Sequence, residues 1–300
     1  MCLIFLFSVT LQVNASTDCG QHISKILCEV GPTKTMPERF TANRPCLNKP
    51  IGKYRKIIKN AFEKFPPFLQ KRFCSLEKIY VEDEFFGAAW SAPVDEKNPV
   101  SFLIGLRKKE LDLNRSLAEG LAQFDSETFG PSTKIVSYSA VPSNRLTSSE
   151  FTLIHELGHT FDYEHNYNRT AKDPEFSKSW TAIAWLDIQE IQPNIDFQFR
   201  KSICLNNCNE KFVPTTEAMS LYSGMYAHGF LSQLSSTNAM EDFADSFAFF
   251  VADEILKIKI ETAVNGHKFS LRQLQTAQAF VKKRDFLRNA FKEVPSEKTP

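Results

Sequence analysis

Residues 155–159 read His-Glu-Leu-Gly-His, and this pentapeptide constrains the chain more than anything else in it. On a helix, His155 and His159 stand one turn apart on one face, so both imidazoles can reach a single zinc ion. Glu156 sits about 100° round the helix, close enough to address a water at the metal without binding the metal itself. Zinc lowers the pKa of such a water toward neutrality, and the carboxylate can take its proton as the water attacks a carbonyl. Helix signals surround the motif: Thr147 and Glu150 fit a capping box, and Phe151, Ile154, Leu157 and Phe161 supply apolar positions. A structural zinc site takes four protein ligands, often cysteines, whereas this pattern leaves a position for water.

Two histidines need a third ligand, and two candidates stand in the chain. One is Glu241, in a stretch where Phe243, Ala244, Phe247, Phe250 and Val251 mark a second amphipathic helix. Glu241 and Asp245 share one face of it, beside Asp242, and no Lys or Arg lies among these carboxylates to offset their repulsion. A ligand role for Glu241, with Asp245 accepting the second N–H of a ligand histidine, relieves that repulsion. Asn238 with Glu241 equally fits a capping box. The other candidate is His165, ten residues after His155, at the spacing of the metzincin signature HExxHxxGxxH, with residues 223–226 similar to that group's Met-turn. Asp162 replaces the signature's glycine, so a helix that runs on rotates His165 off the metal face.

Residues 155–162 (HELGHTFD) together with 237–247 (TNAMEDFADSF) resemble the gluzincin-type zinc metallopeptidases related to the anthrax lethal factor catalytic domain, and the similar Pro-Pro endopeptidases. The resemblance is strong over about 155–165 and 230–252 and loose over the strands before them. It implies an α+β zincin-like fold, with a small mixed sheet, an HExxH helix and a C-terminal helical part. It also implies zinc held by His155, His159 and Glu241, with Asp245 as the acid behind a ligand histidine. Relatives carry a Tyr seven residues before the ligand Glu, to stabilise the oxyanion; here that position is Leu234, which donates no hydrogen bond. Tyr222, Tyr226 and His228 are the substitutes on offer.

Before residue 75 the chain reads differently. The apolar run 3–11 followed by Val13-Asn14-Ala15 fits a signal peptide over 1–15, although a buried strand also suits it. Removal of 1–15 leaves six cysteines, Cys19, Cys28, Cys46, Cys74, Cys204 and Cys208, enough for three disulfides in an oxidising compartment. Helical spacing over 51–65 stops at Pro66-Pro67. Strand-like runs follow at 78–82, 85–92, 100–107 and 134–141, with a helix near 116–124 between the last two. Helices are then expected at 148–165, 176–191, 239–256 and 270–291, and a disordered tail over 291–300. That order suits an α+β fold with a Cys-rich segment at 16–75 and a catalytic domain at 76–290.

Thirty-six Lys and Arg against thirty-five Asp and Glu leave a net charge of +1, which provides no electrostatic footprint for nucleic acid or an anionic membrane. No stretch besides the leader approaches a membrane span. The expectation is a secreted or periplasmic zinc-dependent endopeptidase acting on protein or peptide substrates, with Glu156 as general base. The alternatives are a metzincin-type protease with His165 as third ligand, and an inactive zincin-fold binding or toxin module. Asn114-Arg-Ser116 and Asn168-Arg-Thr170 also fit the glycosylation acceptor pattern, which counts only in a host that glycosylates.

Overall fold

The computed structural model describes residues 11–292, except 34, 35, 84, 86, 131, 132, 206–210, 271 and 272. The fold is mixed α+β. The chain divides into two compact units, one running to Phe85 and taking in Ala89–Leu111, the other taking Asp112 onward. Residues 1–10 of the expected leader and 293–300 of the expected tail lie outside the described residues.

The first unit contains α1 (Leu11–Ile26), β1 (Leu27–Val30), α2 (Met36–Arg39), α3 (Gly52–Lys64), α4 (Pro67–Arg72), β2 (Leu76–Glu82), β3 (Ala89–Pro93) and β4 (Phe102–Arg107). The division from the second unit falls within helix α5 (Lys108–Leu113), after Leu111. The sheet order is β1-β2-β4-β3, with β1, β2 and β4 parallel and β3 antiparallel at the edge. Ile79, Val81, Phe102, Leu103 and Ile104 are completely buried, as expected for parallel strands covered on both faces. Buried Glu82 takes two bonds from Arg44, at 2.8 and 3.0 Å, and one from Trp90 Nε1 at 2.9 Å. This satisfies a charge that would otherwise oppose folding.

Two disulfides, Cys19–Cys74 and Cys28–Cys46, close loops of this unit. Cys204 is disulfide-bonded as well, and Cys208 lies outside the described residues. The sequence puts a boundary near 75, whereas the strands at 76–107 fold with the segment before them. The cause is visible in the pairing: β1 lies parallel to β2 from Leu27↔Ile79 to Val30↔Glu82, and Cys74 at the entry to β2 is bonded to α1.

The second unit begins with α6 (Leu117–Ser126), β5 (Val136–Val141) and α7 (Ser148–His165). A short segment follows with α8 (Thr181–Ala184), β6 (Trp185–Asp187) and β7 (Glu190–Ile191). Then come α9 (Ala218–Ala227), α10 (Ala239–Phe250), β8 (Lys259–Val264), β9 (His267–Ser270) and α11 (Gln278–Ala290). Strands β5, β8 and β9 form an antiparallel sheet in that order. The β8–β9 hairpin turns at Asn265-Gly266, whose φ values of 48° and 81° suit a two-residue loop with left-handed residues.

Two expectations fail here. Residues 176–191 hold only short helical turns and the small β6–β7 hairpin, because Trp180 and Trp185 are wholly buried and Trp185 Nε1 donates to Asp242 at 3.0 Å. That long-range bond outweighs a local helical pattern. Residues 223–226 lie within α9, so they form a helix rather than a Met-like turn.

Helix α7 forms as its local signals dictate. Thr147 Oγ1 accepts from Glu150 N–H at 3.3 Å, and Glu150 accepts from Thr147 N–H at 2.7 Å. Asn166, with φ 51°, ends the helix. Helix α10 starts on Asn238, whose side chain accepts from the N–H groups of Met240 and Glu241, both at 3.0 Å. The two helices cross with Phe151 against Phe249 and Phe161 against Phe247, ring centroids 5.2 and 5.5 Å apart. Gly158 sits at the crossing: a Cβ there would meet Phe247 Cδ1 at 3.0 Å and the Ala244 Cα at 3.2 Å.

Gly158→Ala is therefore expected to push α7 and α10 apart. The overpacking cost exceeds the roughly 1 kcal/mol of helix propensity gained, for a net loss of about 1–2 kcal/mol in chemical denaturation. An unchanged or raised midpoint would show that the crossing is looser than described.

Candidate metal centre

The α7–α10 crossing brings three side chains together. His155 Nε2 lies 3.2 Å from Glu241 Oε2, and His159 Nε2 lies 3.6 Å from the same oxygen. One ligand atom from each of the three falls within 4.8 Å of the others. Two imidazole nitrogens and one carboxylate oxygen make a donor set suited to zinc, and three protein ligands leave a coordination position open. Both histidines are buried, at 7 and 6 % exposure, so the donors are fixed in place by packing. The group could hold a metal ion, and its composition fits zinc.

Behind the ligands, His155 Nδ1 lies 2.9 Å from Asp245 Oδ1. Burial opposes a charge on His155, but Asp245 and Glu241 outweigh it and hold its pKa well above the ordinary imidazole value. Desolvation likewise works against the Glu241 carboxylate, yet the His159 and His155 imidazoles hold it well below the usual carboxylate range. A cation in this group meets the lone pairs that protons otherwise occupy, so metal uptake releases protons. Glu156 follows His155 on α7 and is buried at 4 % exposure.

His165 is not brought to this group. Helix α7 continues through Asp162, which is buried and accepts from Asn168 N–H at 2.7 Å and Nδ2 at 2.9 Å. The His165 side chain is left 47 % exposed at the helix end, beside Glu164 at 3.5 Å. Asn168 is itself buried and bonded to Asp162 and Thr181, which argues against it as a glycosylation acceptor.

The three substitutes for the absent tyrosine are accounted for. Tyr222 is fully buried and donates to Asp125 Oδ2 at 2.6 Å. Tyr226 shares a 2.7 Å hydrogen bond with Thr262 Oγ1, and the His228 ring stacks on Phe197 at 6.2 Å. Leu234 itself opens a 3-10 turn, Leu234–Ser236.

Several residues that support the site gave no sequence signal. Asp242 is paired with Lys283 Nζ at 2.7 Å and with Trp185, partners 41 and 57 residues away. Tyr138, Tyr222 and Asp125 form a second buried cluster, to which Gln233 donates at Asp125 O (2.8 Å) and Tyr222 Oη (3.0 Å). The Tyr163 ring stacks on His159 at 6.3 Å, one turn further along α7, and this spacing was legible from the sequence. No known protein family, no curated protein and no solved structure matches this chain.

Two outcomes follow. Purified protein is expected to bind one zinc per chain, with Glu241→Ala and His155→Ala abolishing it and His165→Ala leaving it intact, measured by elemental analysis. The Asp125 carboxyl is pushed up to about 6 by burial, against the bonds from Tyr138 and Tyr222. An acid whose folded pKa is raised contributes stability at low pH that is lost as pH climbs to that value. Relative to Asp125→Asn, the wild type should lose about 2 kcal/mol between pH 4 and 6.5 in chemical denaturation. A flat difference would contradict a desolvated carboxyl there.

Proposed function

We propose that this chain is a zinc-dependent endopeptidase of the gluzincin type, exported from the cell and acting on protein or peptide substrates. The observation that carries the reading is the convergence of His155, His159 and Glu241, from helices more than seventy residues apart in sequence, with Glu156 beside them. Zinc, when bound, supplies Lewis acidity that polarises a peptide carbonyl and acidifies water.

The chain's own groups do the rest. Asp245 orients His155 through Nδ1, which keeps Nε2 directed at the centre. The Glu156 carboxylate takes a proton from the attacking water and returns it to the leaving amine nitrogen, so one group serves as base and then acid. The two described disulfides support an oxidising destination. Among the described residues, no helix is long and apolar enough to cross a membrane.

A second reading, a zincin-fold module that binds without cleaving, is favoured by one observation. Leu234 stands at the tyrosine position, and the hydroxyls of Tyr222 and Tyr226 are committed to Asp125 and Thr262. Incubation with a broad peptide library separates the two. Wild-type protein should cleave, and Glu156→Ala should retain zinc while losing at least about a hundredfold in turnover. Equal turnover in that variant contradicts the mechanism, and no cleavage by zinc-loaded wild type selects the binding module.

A further inference from the structure

We propose that Ser232 is a positioning residue for this metal centre, its hydroxyl locking the carboxylate that orients His155. The inference rests on the metal-centre reading above. Asp245 is buried at 5 % exposure and uses its two oxygens on two different partners. Oδ1 faces His155 Nδ1 at 2.9 Å, and Oδ2 accepts from Ser232 Oγ.

The direction of each bond follows from the groups around it. Ser232 Oγ accepts the Ser235 N–H at 3.0 Å, which occupies an oxygen lone pair. Its one hydroxyl proton points to Asp245 Oδ2. With Oδ2 engaged by the Ser232 hydroxyl, the carboxyl group is turned so that Oδ1 faces His155 Nδ1. A ring proton on Nδ1 donates to that oxygen. The Nε2 lone pair is thereby left toward Glu241 and His159, where a metal ligand needs it.

Ser232 is itself fixed. Ser235 Oγ accepts from the N–H groups of Leu231 and Ser232, both at 3.1 Å, and donates to Ser232 C=O at 2.7 Å. The next residue, Gln233, is tied to Asp125 and Tyr222, and Arg200 Nη1 donates to Ser236 C=O at 3.2 Å. Ser232, Gln233, Ser235 and Ser236 are all buried. A turn with so many internal bonds holds the hydroxyl in a single place rather than letting it search for a partner. Without that donor, Asp245 Oδ2 is a buried oxygen lacking its partner, and the carboxyl group is free to turn away from His155.

The test compares Ser232→Ala, Ser232→Cys and Ser232→Thr with wild type by two readouts. The first is the zinc dissociation constant from chelator competition. The second is the ring nitrogen shifts of His155 in zinc-free protein, by nitrogen-15 NMR at a pH where the ring is neutral. Ser232→Ala should weaken zinc binding about 10- to 100-fold, the range for loss of a group behind a metal ligand, and move the His155 proton partly to Nε2. Ser232→Cys, with a weaker donor of similar size, should fall between, and it carries the test if the Ala variant fails to fold. Ser232→Thr, which keeps the hydroxyl, should restore both readouts.

Variants that melt earlier yet bind zinc as wild type does, with His155 shifts unchanged, would overturn the proposal and leave Ser232 a structural residue only. Wild type that binds no zinc would instead overturn the metal-centre reading. In that case the His155 shifts still decide whether Ser232 governs the imidazole through Asp245.

Discussion

Everything at the site depends on how closely α7 and α10 can approach. Gly158 offers no side chain at the crossing, so Ala244 and Phe247 pack directly on the α7 backbone. That approach is what allows Glu241 to stand within 3.2 and 3.6 Å of two imidazoles on the other helix. A glycine in mid-helix costs about 1 kcal/mol of propensity relative to alanine. Phe247 and Phe249, nearly or completely buried, offset it through the ring contacts they make with Phe161 and Phe151 of α7. Several of the chain's 27 phenylalanines thus serve the helix packing that carries the site.

The same helix carries three acids within its length, and each has its own solution. Glu241 faces the histidines, Asp245 faces His155 and Ser232, and Asp242 is paired with buried Lys283 and with Trp185. Asp253, beyond α10 in the π-helical turn, is held above the usual carboxylate range by burial and by Glu254. The Asp242 pair also explains why α11 belongs to the site's architecture. Lys283 lies 3.9 Å over the Phe230 ring and bonds Gly229 C=O at 3.2 Å, so α11 fixes both the start of α10 and the turn before it. Removing one partner of such a pair strands the other charge in the interior, a cost of about 3–5 kcal/mol.

What could be read from the sequence was local chemistry. The Thr147–Glu150 capping box and the apolar spacing located α7 at residues 148–165, and Asn238 marked the start of α10. Periodicity put His155 and His159 on one face of α7, and Glu241 and Asp245 on one face of α10; that these two faces meet was implied by the resemblance, with His165 standing as the alternative. Partners of Asp242 lay outside that reach, since Lys283, between Lys282 and Arg284 on a basic helix, and Trp185 in an apolar run look like surface and core. Ser232 was missed for the same reason: its meaning lies in a turn whose bonds close only once Asp245 arrives. The Asn265-Gly266 hairpin is different, because the dipeptide was a legible turn signal that the helical reading of the C-terminal region passed over. Parallel pairing of β1 with β2 had no local signature, so nothing in the sequence pattern groups the strands at 76–107 with the segment before them.

The most direct test of the account is the zinc-edge X-ray absorption spectrum of the loaded protein. It should show two imidazole ligands, further oxygen donors at about 2.0–2.2 Å, and no sulfur, with one oxygen replaced when a chelating hydroxamate is added. A spectrum with three imidazoles would move the third ligand to His165, and one with sulfur or a closed shell of four protein ligands would make the site structural. Either result would contradict a catalytic centre built on His155, His159 and Glu241.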